Sequence, residues 1–202
     1  GSIAGYVKAN GIIDNVNVYG SIELPNSSSS SQYGAIYIGG LVGHNSGTIK
    51  NSSFAGKIDG GVHYPSTIAS SNSIGGIVGF SDGGNYQKLK NTARIIGLSF
   101  STENSTNTSY LGGIIGFGEY LSLKEVVNKG LIISHSNSGY LRNTYIGGII
   151  SILSNPDSET EKTFNNGEIR LIVKNSNYID NYFTAGFGTI STKNRTPRTK
   201  IT

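Results

Sequence analysis

Two adjacent glycines return through this chain at a near-constant interval, and no other feature restricts the possible folds as strongly. The pair occurs at Gly39-Gly40, Gly75-Gly76, Gly112-Gly113 and Gly147-Gly148, with small-residue echoes at Ala4-Gly5 and Ala185-Gly186. Copies opening at Ile3, Ile38, Ile74, Leu111 and Ile146 follow one another every 35 to 37 residues, and a truncated sixth begins near Thr184. A period of this size marks a repeat architecture, in which each copy packs on its neighbours.

The columns of the repeat are strand-like. After the small pair come Tyr6, Leu41, Ile77, Ile114 and Ile149, and then Val7, Val42, Val78, Ile115 and Ile150. All ten are apolar or aromatic, and β-branched residues dominate the second column, which is strand chemistry. A second phrase follows a short turn. It aligns Ile13, Ile49, Leu89 and Leu123, with Asn15, Asn51, Asn91 and Glu125 two residues on. A glycine comes next (Gly20, Gly56, Gly97, Gly130, Gly167), then an apolar residue (Ile22, Ile58, Ile132, Ile169), with Ser99 as the exception. The segments between copies are polar and variable in length. They mostly end on an aromatic that precedes a new copy (Tyr37, Tyr110, Tyr145, Phe183), which predicts a third short strand there. Helices are not expected, because each glycine inside one costs about 1 kcal/mol relative to alanine.

These features predict an all-β chain wound as a parallel β-solenoid (β-helix) of about five coils, one repeat of about 36 residues per coil. The expected domain covers residues 1–192, followed by a basic polar tail at 193–202. Like columns then stack about 4.8 Å apart. The glycine pairs are assigned as structural corners that let coils approach closely. The low apolar share (36 %) would suggest disorder were the apolar residues not held at fixed offsets.

IGGLVGHNSGTIKNSSFAGKI (38–58) and IGGIVGFSDGGNYQKLKNTARIIG (74–97) resemble GLUG-type repeats. The resemblance is strongest in the second copy and weakest in the fifth, where Ser151 replaces the expected glycine. Such repeats occur in bacterial surface adhesins and in the non-catalytic part of immunoglobulin-A-specific metalloproteases. The resemblance therefore implies an extracellular or cell-surface repeat module.

Catalytic chemistry is not expected. The histidines are His44, His63 and His135, none followed by Glu and none at zinc-ligand spacing, so no metal site is predicted. Cysteine is absent, which removes thiolate ligands and nucleophiles. Of the scattered acids, Glu119, Glu125, Glu159 and Glu161 come closest to a group and are expected to be solvated loop charge. Neither GxxxxGK[ST] nor GxGxxG occurs, so no nucleotide cofactor is expected. A carbohydrate-active solenoid is the least favoured alternative.

The net charge of +4 rests on Lys193, Arg195, Arg198 and Lys200; the remaining basic side chains balance the twelve acids. With the charge confined to the tail, no nucleic-acid partner is predicted. No apolar run approaches the roughly 20 residues of a spanning helix, so no membrane insertion is expected. The sequence contains no methionine, which suggests a processed or excised form, with Gly1-Ser2 as a residue of cloning.

Partners are expected to be a second copy, another surface protein or a glycan. Strict alternation along a flat strand predicts an outward apolar stripe of Tyr6, Leu41, Ile77, Ile114 and Ile149. Sequons begin at Asn26, Asn51, Asn104, Asn107 and Asn194, a number that chance supplies in a chain so rich in Asn, Ser and Thr. Asn104 and Asn107, in an expected exposed loop, are the candidate glycosylation sites. End-to-end stacking into a filament is the second functional reading.

Overall fold

The computed structural model describes residues 1–26, 34–63, 71–97, 99–100, 108–136, 140–155, 158–173, 178–187, 189–190 and 200–201. Among these residues the regular structure is all strand, and the pairings are parallel. Strands from successive repeats stack into three long sheets. The first contains Ala4–Val7, Val42–Asn45, Val78–Asp82, Ile115–Glu119, Ile150–Leu153 and Thr189–Ile190, in that order. The second is organised around Thr48–Asp59. Ile12–Asp14 and Asn17–Glu23 pair on one side of it, and Asn85–Asn91 and Arg94–Ile96 on the other. Ser122–Asn128 and Leu131–Ser136 follow, then Glu159–Glu161, Phe164–Asn165 and Ile169–Val173. The third contains Ile36–Gly39, Asn72–Gly75, Ser109–Gly112, Tyr140–Gly147 and Tyr178–Ala185.

This is a parallel β-solenoid with one repeat per coil. The first sheet has six strands among the described residues, one from each copy in chain order. Gly39 pairs with Gly75, Gly75 with Gly112, Gly112 with Gly147, and Gly147 with Ala185. From the tail, Lys200–Ile201 pairs with Glu159–Glu161 in the second sheet; residues 193–199 and 202 lie outside the described residues.

The glycine pair forms the corner between the third and first sheets. A methyl group on the second glycine would overlap the carbonyl of its counterpart one coil on: Gly40 against Gly76, Gly76 against Gly113, Gly113 against Gly148. It would also strike a side chain beneath the corner, which is Phe54 for Gly40, then Asn91, Asn128 and Asn165 for Gly76, Gly113 and Gly148. The close approach leaves one carbonyl accepting two consecutive N–H groups from the coil before. Leu41 and Val42 both donate to Ile77, Ile77 and Val78 to Ile114, and Ile114 and Ile115 to Ile149, at 2.8–3.1 Å. A repeated Gly-Gly is the sequence record of this contact.

That corner overturns the expected outward stripe. Leu41, Ile77, Ile114 and Ile149 are 0 % exposed and belong to the core; only Tyr6 of the five, in the first coil, is exposed. The reason is geometric. Leu41 and its counterparts occupy the bend, and the strand begins one residue later at Val42, so alternation does not separate the two columns. Both point inward, against Ile49, Ile58, Ile95 and Ile132 of the second sheet in the same core cluster.

The register also corrects the third copy. Tyr86, not Leu89, pairs with Ile49 and Leu123; Ile95, not Ser99, pairs with Ile58 and Ile132. Ala93 rather than Gly97 lies opposite Gly56 and Gly130, and Lys88 rather than Asn91 opposite Asn51. Tyr86 takes the place that an aliphatic side chain fills in the neighbouring coils. It is buried, donates to Ser81 Oγ at 2.6 Å and accepts from Asn45 Nδ2 at 2.9 Å. The displaced Asn91 belongs to a different column, where it donates to Asn128 Oδ1 at 2.9 Å, and Asn128 donates to Asn165 Oδ1 at 2.8 Å. Each ladder amide also accepts from a backbone N–H two residues on, at Ala93, Gly130 and Gly167. Polar groups buried under the corners are thereby satisfied, as burial requires.

Candidate functional site

The corner that buries the apolar columns brings two aromatic columns together on the outside. Tyr37, Tyr110 and Tyr145 point outward from the third sheet; Tyr6, His44, Phe80 and Phe117 do so from the first. Their rings form a connected stripe. Tyr6 and His44 are 4.6 Å apart, His44 and Phe80 4.9 Å, and Phe80 and Phe117 5.5 Å with planes 3° apart. Tyr37 stacks on Phe80 at 4.9 Å, Tyr110 packs on Phe117 at 4.9 Å and on Tyr145 at 5.5 Å. In the third sheet Ser73 interrupts the tyrosines, its hydroxyl donating to Gly79 O at 2.6 Å, and Phe80 leans across the gap to Tyr37.

Tyr6 and Tyr37 are exposed, and His44, Phe80, Tyr110, Phe117 and Tyr145 are half-buried. The stripe is therefore an ordered apolar surface that the core does not enclose. Burial raises the Tyr110 phenol above its ordinary value, with Tyr145 adding to the effect. Both columns are visible in the sequence, as the aromatics that precede most copies and the Phe80/Phe117 position. Joining them into one surface required the geometry of the corner.

At the first-coil end the stripe carries polar groups. His44 Nε2 lies 3.0 Å from Asp82 Oδ1, the Ser46 hydroxyl donates to the same oxygen, and the Tyr6 hydroxyl is 3.4 Å from Ser46 Oγ. Serine, histidine and aspartate meet here in an order unlike that of a nucleophilic triad. A triad places the imidazole between hydroxyl and carboxylate, whereas here the carboxylate holds both. The cluster orients Tyr6 and His44 within the stripe.

The remaining predicted positions do not converge. The glycine pairs are buried at the corner, and Asn104 and Asn107 lie outside the described residues. Glu119 ends a strand of the first sheet, while Glu125, Glu159 and Glu161 lie on the second; Glu161 is bound by Lys124 at 3.3 Å and Lys162 at 3.7 Å. His63 and His135 lie on separate strands, in Val62–His63 and Leu131–Ser136. Among the described residues no three His, Cys, Asp or Glu side chains group as metal ligands. No helix among them is long and apolar enough to cross a membrane.

Residues 34–59 match the family model of the GLUG motif. The second repeat of the chain carries a GLUG motif. The matched span opens just before the strand Ile36–Gly39, passes the Gly39-Gly40 corner and ends with the strand Thr48–Asp59. It therefore covers one pass through all three sheets, and the GLUG motif corresponds to the turn of chain that builds a corner. None of the curated proteins and none of the solved structures matches the chain.

Proposed function

We propose that this GLUG-type solenoid is a non-enzymatic structural and adhesive module, displayed outside the cell or on its surface, that meets other surface proteins or glycans. The observation that carries the reading is the aromatic stripe. Its rings are stacked and held in place by the coils, yet they stay partly open to solvent, where apolar area of this kind marks an interaction surface. The rigid sheets below it contribute preorganisation, which lowers the entropic cost of binding.

Glycan arrays and a panel of purified matrix proteins, probed with the natural chain and a Tyr37→Ser/Phe80→Ser/Tyr110→Ser variant, test the reading. Binding to at least one member of either panel, lost in the folded variant, is expected. Binding to neither panel, or binding that the variant retains in full, counts against the stripe.

A second reading, end-to-end assembly, is favoured by where the exposed apolar side chains lie. Of the nine large apolar side chains exposed among the described residues, Ile3, Tyr6, Ile12 and Tyr19 are on the first coil and Phe164, Leu171 and Ile172 on the fifth, with Tyr37 and Tyr120 between them. Among the described residues the first coil also presents an unpaired strand edge, which proteins pair or cover. Light scattering over a concentration series decides this: growth into rods supports assembly, and a constant particle mass removes it.

A further inference from the structure

The outer face of the second sheet carries a basic groove that the aromatic stripe does not share. Lys88, Lys90 and Lys129 line an open depression of about 370 Å³ with Leu89, Glu125 and Val127. Elsewhere on this sheet cations are matched. Lys50 meets Asp14 at 3.2 Å, Lys57 meets Glu23 and Asp59 at 3.1 and 2.9 Å, Lys124 meets Glu161, and Arg170 meets Glu168. The groove lysines have no carboxylate partner among the described residues, and neither does Arg94 on the same coil as Lys88 and Lys90. The charge balance of the chain outside its tail thus conceals a local excess of positive charge on two adjacent coils.

We propose that this groove binds a linear anionic polysaccharide, its lysines holding carboxylate or sulfate groups. This deepens the adhesive reading by naming a ligand class, and it rests on that reading. Three features select the ligand. The depression is open, which suits a segment of a polymer better than an enclosed small molecule. Val127, half-buried beside the lysines, gives the apolar C–H face of a sugar ring a surface to lie on. Glu125 accepts hydrogen bonds from sugar hydroxyls, whereas it repels the dense charge of a phosphate backbone. No ring lines the groove, so it lacks the stacking platform with which single-stranded nucleic acids are held.

The test is biolayer interferometry at fixed ionic strength with heparin, hyaluronate, neutral dextran and a double-stranded DNA oligonucleotide. Natural chain is compared with Lys88→Gln/Lys90→Gln/Lys129→Gln and with a tail control, Lys193→Gln/Arg195→Gln/Arg198→Gln, that removes the same number of charges. Unchanged circular dichroism and thermal midpoint establish that both variants fold. Binding of heparin or hyaluronate is expected, weakened about tenfold or more in the groove variant, little changed in the tail control, and diminished by salt. Three results overturn the proposal: no binding of either anionic glycan, equal loss in both variants, or DNA bound as tightly as heparin. If stripe-dependent binding persists alongside any of these, the groove assignment alone falls; if that binding is also missing, the adhesive reading falls with it.

Discussion

Gly113 rests on the amide of Asn128, one corner glycine against one rung of a buried ladder, with no room for a Cβ between them. Its backbone also faces the Gly148 carbonyl of the next coil. Gly113→Ala should therefore force two coils apart and destabilise the chain by about 3 kcal/mol or more. Gly20→Ala is the contrast, since a Cβ there meets nothing within 4 Å. It should change stability by no more than about 0.5 kcal/mol. Urea unfolding of the two variants checks both values.

The asparagine ladder should show strong coupling. Asn128→Ala removes the bonds to Asn91 and Asn165 and leaves the Gly130 N–H without its acceptor, a loss of about 2–4 kcal/mol. Asn91→Ala and Asn128→Ala together should cost less than their sum, with a coupling of about 1 kcal/mol or more in a double-mutant cycle. Strict additivity would mean that the two amides do not act as one network.

A second column records backbone strain. Asn15, Asn51, Lys88, Glu125 and Lys162 lie opposite one another with φ between 48° and 57°. Asn tolerates this left-handed conformation, and Lys and Glu do so less readily. Glu125→Asn and Lys162→Asn should each stabilise the fold by about 0.5–1 kcal/mol, seen as a raised urea midpoint with an unchanged slope.

Stability should fall at both ends of the pH range. Asp14 is held below the ordinary carboxylate value by the Asn51 amide and by Lys50, Glu23 by Lys57 and Ser21, and Glu168 by Arg170. A depressed folded pKa contributes stability above the unfolded value, lost as pH falls through the folded one. The acid decline should therefore begin near pH 4 and weaken in Asp14→Asn/Glu23→Gln. Burial raises the Tyr86 phenol, so its contribution is complete below pH 10 and is lost at higher pH as only the unfolded chain ionises readily. Tyr86→Phe should flatten the alkaline decline, and at neutral pH should cost about 1–3 kcal/mol by leaving Ser81 and Asn45 short of a partner. Urea midpoints from pH 3 to 11 test both arms.

Much of the winding was legible because stacked coils impose identical demands at Gly40, Gly76, Gly113 and Gly148. The facing of Leu41 and its counterparts was not, since a bend at the corner breaks the alternation on which facing is judged. The third copy misaligned because Tyr86 and Ala93 meet the packing demands of Ile49 and Gly56 with different chemistry. The aromatic stripe was split between two columns, Tyr37 and Phe80, that lie 43 residues apart in the chain. Only the bend between sheets makes them neighbours. The basic groove depends on which lysines find carboxylates one coil away, and that follows from register.

Register is therefore the central claim, because both proposed surfaces exist only if the coils stack as described. The chain contains no cysteine, so thiols can be placed at will. Lys90 and Val127 pair directly, with Cα atoms about 4.8 Å apart as expected for neighbouring strands. Alignment on Leu89 and Leu123 would instead place Lys90 beside Lys124, which in the structure is about 11 Å away. The direct measurement is bridging by dibromobimane, which becomes fluorescent when both of its arms have reacted. The account predicts rapid bridging in Lys90→Cys/Val127→Cys and little in Lys90→Cys/Lys124→Cys; the reverse order would contradict it.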